Sequence, residues 1–235
     1  MSKQYFIFPI ILLFTISAFT QSNCSRFYPM KEGAHFTLTM YDADETELGK
    51  MTYKVLSVSG NSGTYSTTME AGGMSMSSEY GISCERDGVS IDFSSMGGGM
   101  MGRFGGGAGD KVDITGTSIY LPNNIAVGDS LPPAKMEMKL TMRVAGVARP
   151  TNTVIEMVDR NVIARETITT PAGTFDCFVM TYQMLINGVN TAGLTHKMWL
   201  APDVGVVKTM EVQGVDPATG EDIHMGKALL TDYQL

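Results

Sequence analysis

Three cysteines, three histidines and nineteen methionines carry most of the chemistry that this chain of 235 residues could do. A Cys/His nucleophile would need Cys177 to meet His35, His196 or His224. Cys177 sits among Phe175, Phe178 and Val179, whereas a reactive thiolate needs an accessible, electropositive setting. The expected state is therefore a buried thiol in a strand. No two cysteines are close enough in sequence for a zinc site, and no GxSxG elbow, HExxH or phosphate loop is present. The acid pairs Asp42/Asp44 and Glu221/Asp222 fall in turn-like stretches, where solvated charge is the ordinary role. The chain reads as a non-enzyme that calls for no cofactor.

The methionines are the less usual feature. Met69, Met74 and Met76 form one group, and Met96, Met100 and Met101 a second. Exported thioether clusters hold Cu(I) in some proteins. Methionine also packs irregular cores and suits surfaces that accept varied apolar ligands. The irregular spacing favours packing, with the adaptable surface and the copper site as alternatives.

The elements that must position these residues are short strands. Residues 35–42, 51–59, 64–69, 74–84 and 89–93 each have strand character, with turns such as Gly60-Asn61-Ser62-Gly63 between them. The clearest strand is 135–143: Met136, Met138, Leu140 and Met142 face one way, while Lys135, Glu137, Lys139, Thr141 and Arg143 face the other. That period of two marks a sheet with one dry face, and the four apolar residues are the candidate ligand surface. Strands at 151–158, 161–169, 174–185, 191–200, 204–212 and 223–233 complete the series. No window carries a capped helical stripe. The reading is a mainly β chain of about eleven or twelve strands, a single large antiparallel sheet curled into a half-barrel or open barrel. Residues 97–109 break the pattern with eight glycines in thirteen residues, which reads as a linker or, alternatively, a lid touching ligand through Met100, Met101 and Phe104.

Composition limits the partners. With 17 Lys+Arg against 24 Asp+Glu the net charge is -7, so nucleic acid is excluded as a partner. At 43% apolar residues the chain can build a core. Residues 1–20 resemble a signal peptide: Lys3, then the apolar run 6–14, then Ala18 and Thr20 at the cleavage positions. That run is too short to span a bilayer, and no later stretch is long enough. The remaining residues 21–235 form one exported domain, periplasmic or extracellular. Lipid attachment at Cys24 is the lesser alternative, because Gln21 and Asn23 do not fit a lipidation box.

Five segments, CSRFYPMKEGAHFTLTMYD, SEYGISCERDGVSIDF, IYLPNNIAVGDSLP, ETITTPAGTFDCFVMTY and MWLAPDVGVVKT, together resemble the TapB-like family of exported proteins, typical of the Bacteroidota. The resemblance covers nearly the whole mature chain, and PAGTFDC with WLAPDVGVVK is its most specific part. It implies export, cysteines at Cys24, Cys84 and Cys177, and a fold related to the half-barrel lipoprotein carriers of the periplasm; it implies no catalytic residues. Relatives usually have a charged, helix-like segment after IDF, which the glycine-rich stretch replaces here, leaving in doubt any covering of the concave face. Pro171-Ala172-Gly173 and Leu200-Ala201-Pro202-Asp203 also read as plain turn chemistry.

Strand parity addresses the cysteines. In a meander, the end of the fourth strand (Cys84) and the start of the first share a rim, and Cys24 has about ten residues of slack to reach along it. The expectation is a Cys24–Cys84 disulfide and a free thiol at Cys177. For function, the favoured reading is a non-catalytic envelope protein that binds an apolar ligand on the concave face; the alternative is a structural or interaction protein that presents its loops to an envelope partner. Shortening the 97–109 segment by half is expected to change stability by about 0.6 kcal/mol or less, measured by thermal melts. Collapse of the fold would refute both the linker and the lid.

Overall fold

The computed structural model describes residues 24–92, 94–95, 111–144, 147–190 and 193–235. The expected signal peptide and the glycine-rich 97–109 segment lie outside these residues, as do Met96, Met100, Met101 and the side chain of Met142. Fourteen strands make one sheet: β1 (His35–Asp42), β2 (Glu47–Ser59), β3 (Ser62–Ala71), β4 (Met74–Cys84), β5 (Gly88–Ile91), β6 (Lys111–Gly116), β7 (Ile119–Pro122), β8 (Ser130–Leu131), β9 (Ala134–Val144), β10 (Val147–Thr170), β11 (Gly173–Ile186), β12 (Thr195–Ala201), β13 (Gly205–Val215) and β14 (Asp222–Gln234). Their order is β6-β9-β10-β11-β12-β13-β14-β1-β2-β3-β4-β5-β7, with β8 paired to β10. All pairings are antiparallel, and β6 and β7 end the path without pairing each other, so the sheet is not closed into a barrel.

The chain departs from a simple meander between β5 and β9, where it changes edge three times. After β5 it crosses to the far edge as β6 and returns through Thr117 and Ser118 to the near edge as β7. Strands β6, β7 and β8 are short, with few residues in which an alternating pattern could show. The expected strands 151–158 and 161–169 are one strand, β10, interrupted by a bulge: its register against β11 shifts between Val158 and Asn161. Asp159 there has φ 51, a left-handed conformation that aspartate tolerates better than most residues.

Antiparallel alternation assigns the strand ends to two rims. One rim carries the start of β1, the β2–β3 turn, the ends of β4 and β7, and the β10–β11 and β12–β13 turns. Residues 24–34 cross this rim as a cap. Phe27 is fully buried and meets Phe178 of β11 edge-on at 5.9 Å. The Asp203 N–H in the β12–β13 turn donates to the Arg26 carbonyl at 2.7 Å. The Tyr65 hydroxyl of β3 donates to the Pro29 carbonyl. Asn123, just after β7, accepts from the Arg26 N–H and donates to the Cys24 carbonyl, both at 2.8 Å. Cys24 and Cys84 are joined by a disulfide with Cα atoms 5.6 Å apart. A cross-link closing a loop of this size is worth roughly 4 kcal/mol.

One core fills the curled sheet, with Phe36, Leu38, Val55, Tyr65, Ile82, Val162, Leu200 and Leu230 among its buried members. A smaller cluster lies beside it around Ala134 and Met136, with Ile114, Ile119, Ile155, Met157 and Met184. Met138 is 4% exposed, whereas Glu137 holds only exposed contacts with Asn152 and Lys139. Met138→Asp is expected to cost several kcal/mol, because it buries an unpaired carboxylate. Glu137→Lys is expected to stay within about 0.5 kcal/mol. Urea melts of the two variants check this, and equal midpoints would contradict the two-faced strand.

Candidate ligand cavity

Inside the curl lies a cavity of about 220 Å³. Its wall is drawn from most of the sheet: Phe36 and Tyr53 from β1 and β2, Tyr80 from β4, Ile91 from β5, Ile119 and Leu121 from β7. The rest comes from Met157 and Arg160 on β10, Met180 and Tyr182 on β11, Met198 and Leu200 on β12, and Val206 and Thr209 on β13. Tyr28 of the rim cap reaches the same space. The lining is chiefly apolar and aromatic. Phe36 and Tyr53 stack at 4.7 Å, as do Tyr182 and His196 at 4.9 Å.

The β10 bulge makes Arg160 part of this wall. Without the extra residue, strict alternation would put Arg160 on the face opposite Met157. With it, both line the cavity, and Val162 follows into the core; re-aiming a side chain is a common use of a bulge. Arg160 is 3% exposed. Its Nη1 donates to the Pro132 carbonyl at 2.6 Å and its Nη2 to the Tyr120 carbonyl of β7 at 3.0 Å. Its Nε–H is buried without a partner, and among the described residues no carboxylate pairs with it. Burial pulls its pKa down, and the phenols of Tyr28 and Tyr182 push it back up. A guanidinium nevertheless stays charged in a protein.

The phenols around it are neutral at physiological pH. Burial pushes Tyr28 up to about 12 against the opposing effect of Arg160. Burial, helped by Tyr28 and Glu211, also takes Tyr182 to about 12. Tyr53 and Tyr80 are likewise pushed up, chiefly by burial.

Methionines extend the apolar surface beyond the cavity. Register places Met51, Met69 and Met76 in a row across β2, β3 and β4, on the face that Tyr53 and Tyr65 share. Met76 and Met69 thus come together, while Met74, at the start of β4, is 68% exposed. The rim opposite the cap carries other exposed apolar side chains: Leu48, Ile186, Val189, Val215, Ile223 and Met225.

Of the sequence candidates on β9, Met136, Met138 and Leu140 sit beside this cavity and are not among its lining residues. Met136 belongs to the smaller cluster with Ile119 and Met157, Met138 is buried on the same strand, and Leu140 is half-buried. The aromatic wall and Arg160 were not among those candidates. The stop between 158 and 161 was a visible signal, but of a turn and not of an inward-facing arginine.

Among the described residues no cysteine and histidine meet to form a nucleophile. The three histidines are apart from Cys177: His35 lies at 3.3 Å from Asp232, His196 stacks on Tyr182, and His224 is in β14. Cys177 is buried, and its thiol is pushed up to about 11 by burial and then by Asp176 and Glu166. Among the described residues no group of His, Cys, Asp and Glu is placed to hold a metal ion. Trp199 donates its indole N–H to Glu166 at 2.7 Å and lies under the Lys208 ammonium, contacts that fix β10, β12 and β13 together.

A family model described as DUF3108-like matches residues 31–214. The chain belongs to the DUF3108-like family. In this DUF3108-like chain the match ends before β14, the strand that joins β13 to β1. Two solved structures are similar. One, from Bacteroides fragilis, is described as an exported protein with a YmcC-like fold; it is 19% identical, with 90% of this chain and 100% of that chain covered and a TM-score of 0.64. The other, from Parabacteroides distasonis, is described as a lipoprotein; it is 21% identical, with 90% and 99% covered and a TM-score of 0.64. At such identities the likeness concerns the fold. No curated protein matches the DUF3108-like chain.

In denaturant without reductant, a thiol reagent is expected to count one cysteine of the chain's three, and all three after reduction. In the folded protein at pH 8 the Cys177 reaction is expected to be slow, because little thiolate exists that far below its raised pKa. Peptide mapping under non-reducing conditions identifies the bridge, and a bridge containing Cys177 would overturn the assignment.

Proposed function

We propose that the chain is an exported, non-catalytic envelope protein that binds an apolar ligand in the hollow of its half-barrel. The observation that carries this reading is a largely apolar cavity walled by aromatic and methionine side chains from most of the sheet. Such a lining is what small-molecule sites use, and methionine adapts to varied apolar shapes. The similar proteins described as exported and as a lipoprotein support an envelope location, as does the signal-like N-terminus. The segments PAGTFDC and WLAPDVGVVK further support placing the chain with the TapB-like proteins. Met136, Met138, Leu140 and Met142 are assigned to the flank of the ligand surface, since Met136 packs with the cavity residues Ile119 and Met157.

A second reading, a protein that presents loops to an envelope partner without a small ligand, has one observation in its favour. The cavity is smaller than the roughly 300–1,000 Å³ usual for ligand pockets, because the protein's own aromatics fill much of the interior.

Fluorescence of N-phenyl-1-naphthylamine, a neutral apolar probe, separates the two. It is expected to rise on mixing with the mature protein and to fall by about tenfold or more in affinity for Met198→Trp, which fills the hollow. Native mass spectrometry of the purified protein is expected to show a bound apolar mass. No probe binding together with no co-purified mass would leave the partner-presenting reading.

A further inference from the structure

The buried cation in the cavity wall has a consequence for the kind of molecule the cavity takes. We infer that the site binds a single-chain amphiphile with an anionic head, a carboxylate-bearing acyl chain, whose head meets Arg160 and the surrounding phenols. The inference rests on the proposed apolar-ligand function and specifies its substrate class.

The argument begins with the guanidinium. A guanidinium has five N–H donors, and two of Arg160's go to backbone carbonyls. Both acceptors are neutral, so they satisfy geometry without balancing charge. Its Nε–H is buried and unpartnered, in a residue only 3% exposed. A buried charge is ordinarily paired, because isolating it from water costs several kcal/mol. Here the described residues supply no counter-charge. The groups nearest it electrostatically are the hydroxyls of Tyr28 and Tyr182, which can donate to an anion as well.

The remainder of the wall sets the other end of the ligand. Phe36, Ile119, Met157, Met180, Met198 and Leu200 offer nothing to a polar group. One cation among phenols, Thr209 and a larger apolar lining fits a molecule with one anionic end and one greasy end. A cavity of about 220 Å³ has room for one chain and not for a lipid with several. A planar guanidinium matches a carboxylate better than a cationic or neutral head.

Displacement of N-phenyl-1-naphthylamine by chain-matched ligands tests this on the mature protein. Decanoate is expected to compete about tenfold or more tightly than decanol, as hydrogen bonds to a charged group imply, and decyltrimethylammonium more weakly than either. Equal competition by decanoate and decanol would overturn the anionic head and leave the apolar-ligand reading standing. Failure of all three to compete, with no probe binding, would overturn both. Acetate is expected to have no effect at the same concentration; an effect equal to that of decanoate would mean a free-anion site and overturn the amphiphile. Arg160→Met is expected to bring decanoate down to the level of decanol, and a folded variant that kept the preference would refute the role of Arg160. Because Arg160 also joins β7 to the turn before β9, that variant is checked by circular dichroism. If it is unfolded, the wild-type comparison decides.

Discussion

A large sheet that curls without closing must do something with the seam between its two edges, and here Arg160 and a small apolar cluster span it. An open edge leaves backbone groups without partners and invites pairing with other chains. Edge strand β7 directs its Tyr120 carbonyl to Arg160 instead of to a neighbouring strand, and the same guanidinium takes the Pro132 carbonyl ahead of β9. Ile119 of β7 packs with Ala134, Met136 and Met157 on the other side. Side chains thus hold the seam where a backbone ladder would close a barrel. Such a closure tolerates a hollow interior, because the two edges need not come to within ladder distance. The buried charge that makes the seam possible also faces the hollow, so the chain's architecture and its candidate chemistry share one residue.

That residue reaches its place through a single irregularity. The Asp159 bulge shifts the alternation of β10 and turns residues 160 and 162 inward after 155 and 157. A regular strand would have sent the arginine to the opposite face, where an unpaired cation costs little. The cap made by residues 24–34 then closes the nearer rim, with Tyr28 reaching the cavity and Cys24 tied to Cys84. Four hydrogen bonds with Tyr65, Asn123 and Asp203 hold the cap, so the cavity end it covers is fixed by the covalent link and by hydrogen bonds together.

Much of the fold was legible because alternation is a strong signal where strands have one dry face. Met136 and Met138 against Lys135 and Glu137 is a clear example, and the long strands β1 to β4 and β11 to β14 were readable in the same way. Strands β6, β7 and β8 were not, since two to six residues hold too few alternations. The crossover between opposite edges was also hidden, because strand order depends on long-range pairing that no local pattern records. The cavity was the least legible part. Its residues come from nine strands and the cap, most as single positions such as Tyr80 or Thr209, and only pairing register brings them together. Arg160 in particular looks like turn chemistry beside Asp159, and a bulge and a turn leave the same local trace.

The two rims of the sheet differ in chemistry. The capped rim is dense with specific bonds, whereas the other carries Leu48, Met74, Ile186, Val189, Val215, Ile223 and Met225 in exposed positions. Single exposed apolar residues are ordinary, but here seven gather by topology at one end of the molecule. The row Met51, Met69 and Met76 lies on the inner face of the strands that end there. Apolar surface therefore runs along β2, β3 and β4 from the open rim toward the cavity, while His196 and Glu211 lie on the same face on the β12–β13 side. A greasy chain moving along it would exchange one soft thioether surface for the next until its polar end met Arg160. Charge at the inner end and apolar surface toward the outer end is an arrangement that orders an amphiphile by polarity, head first and tail toward the rim.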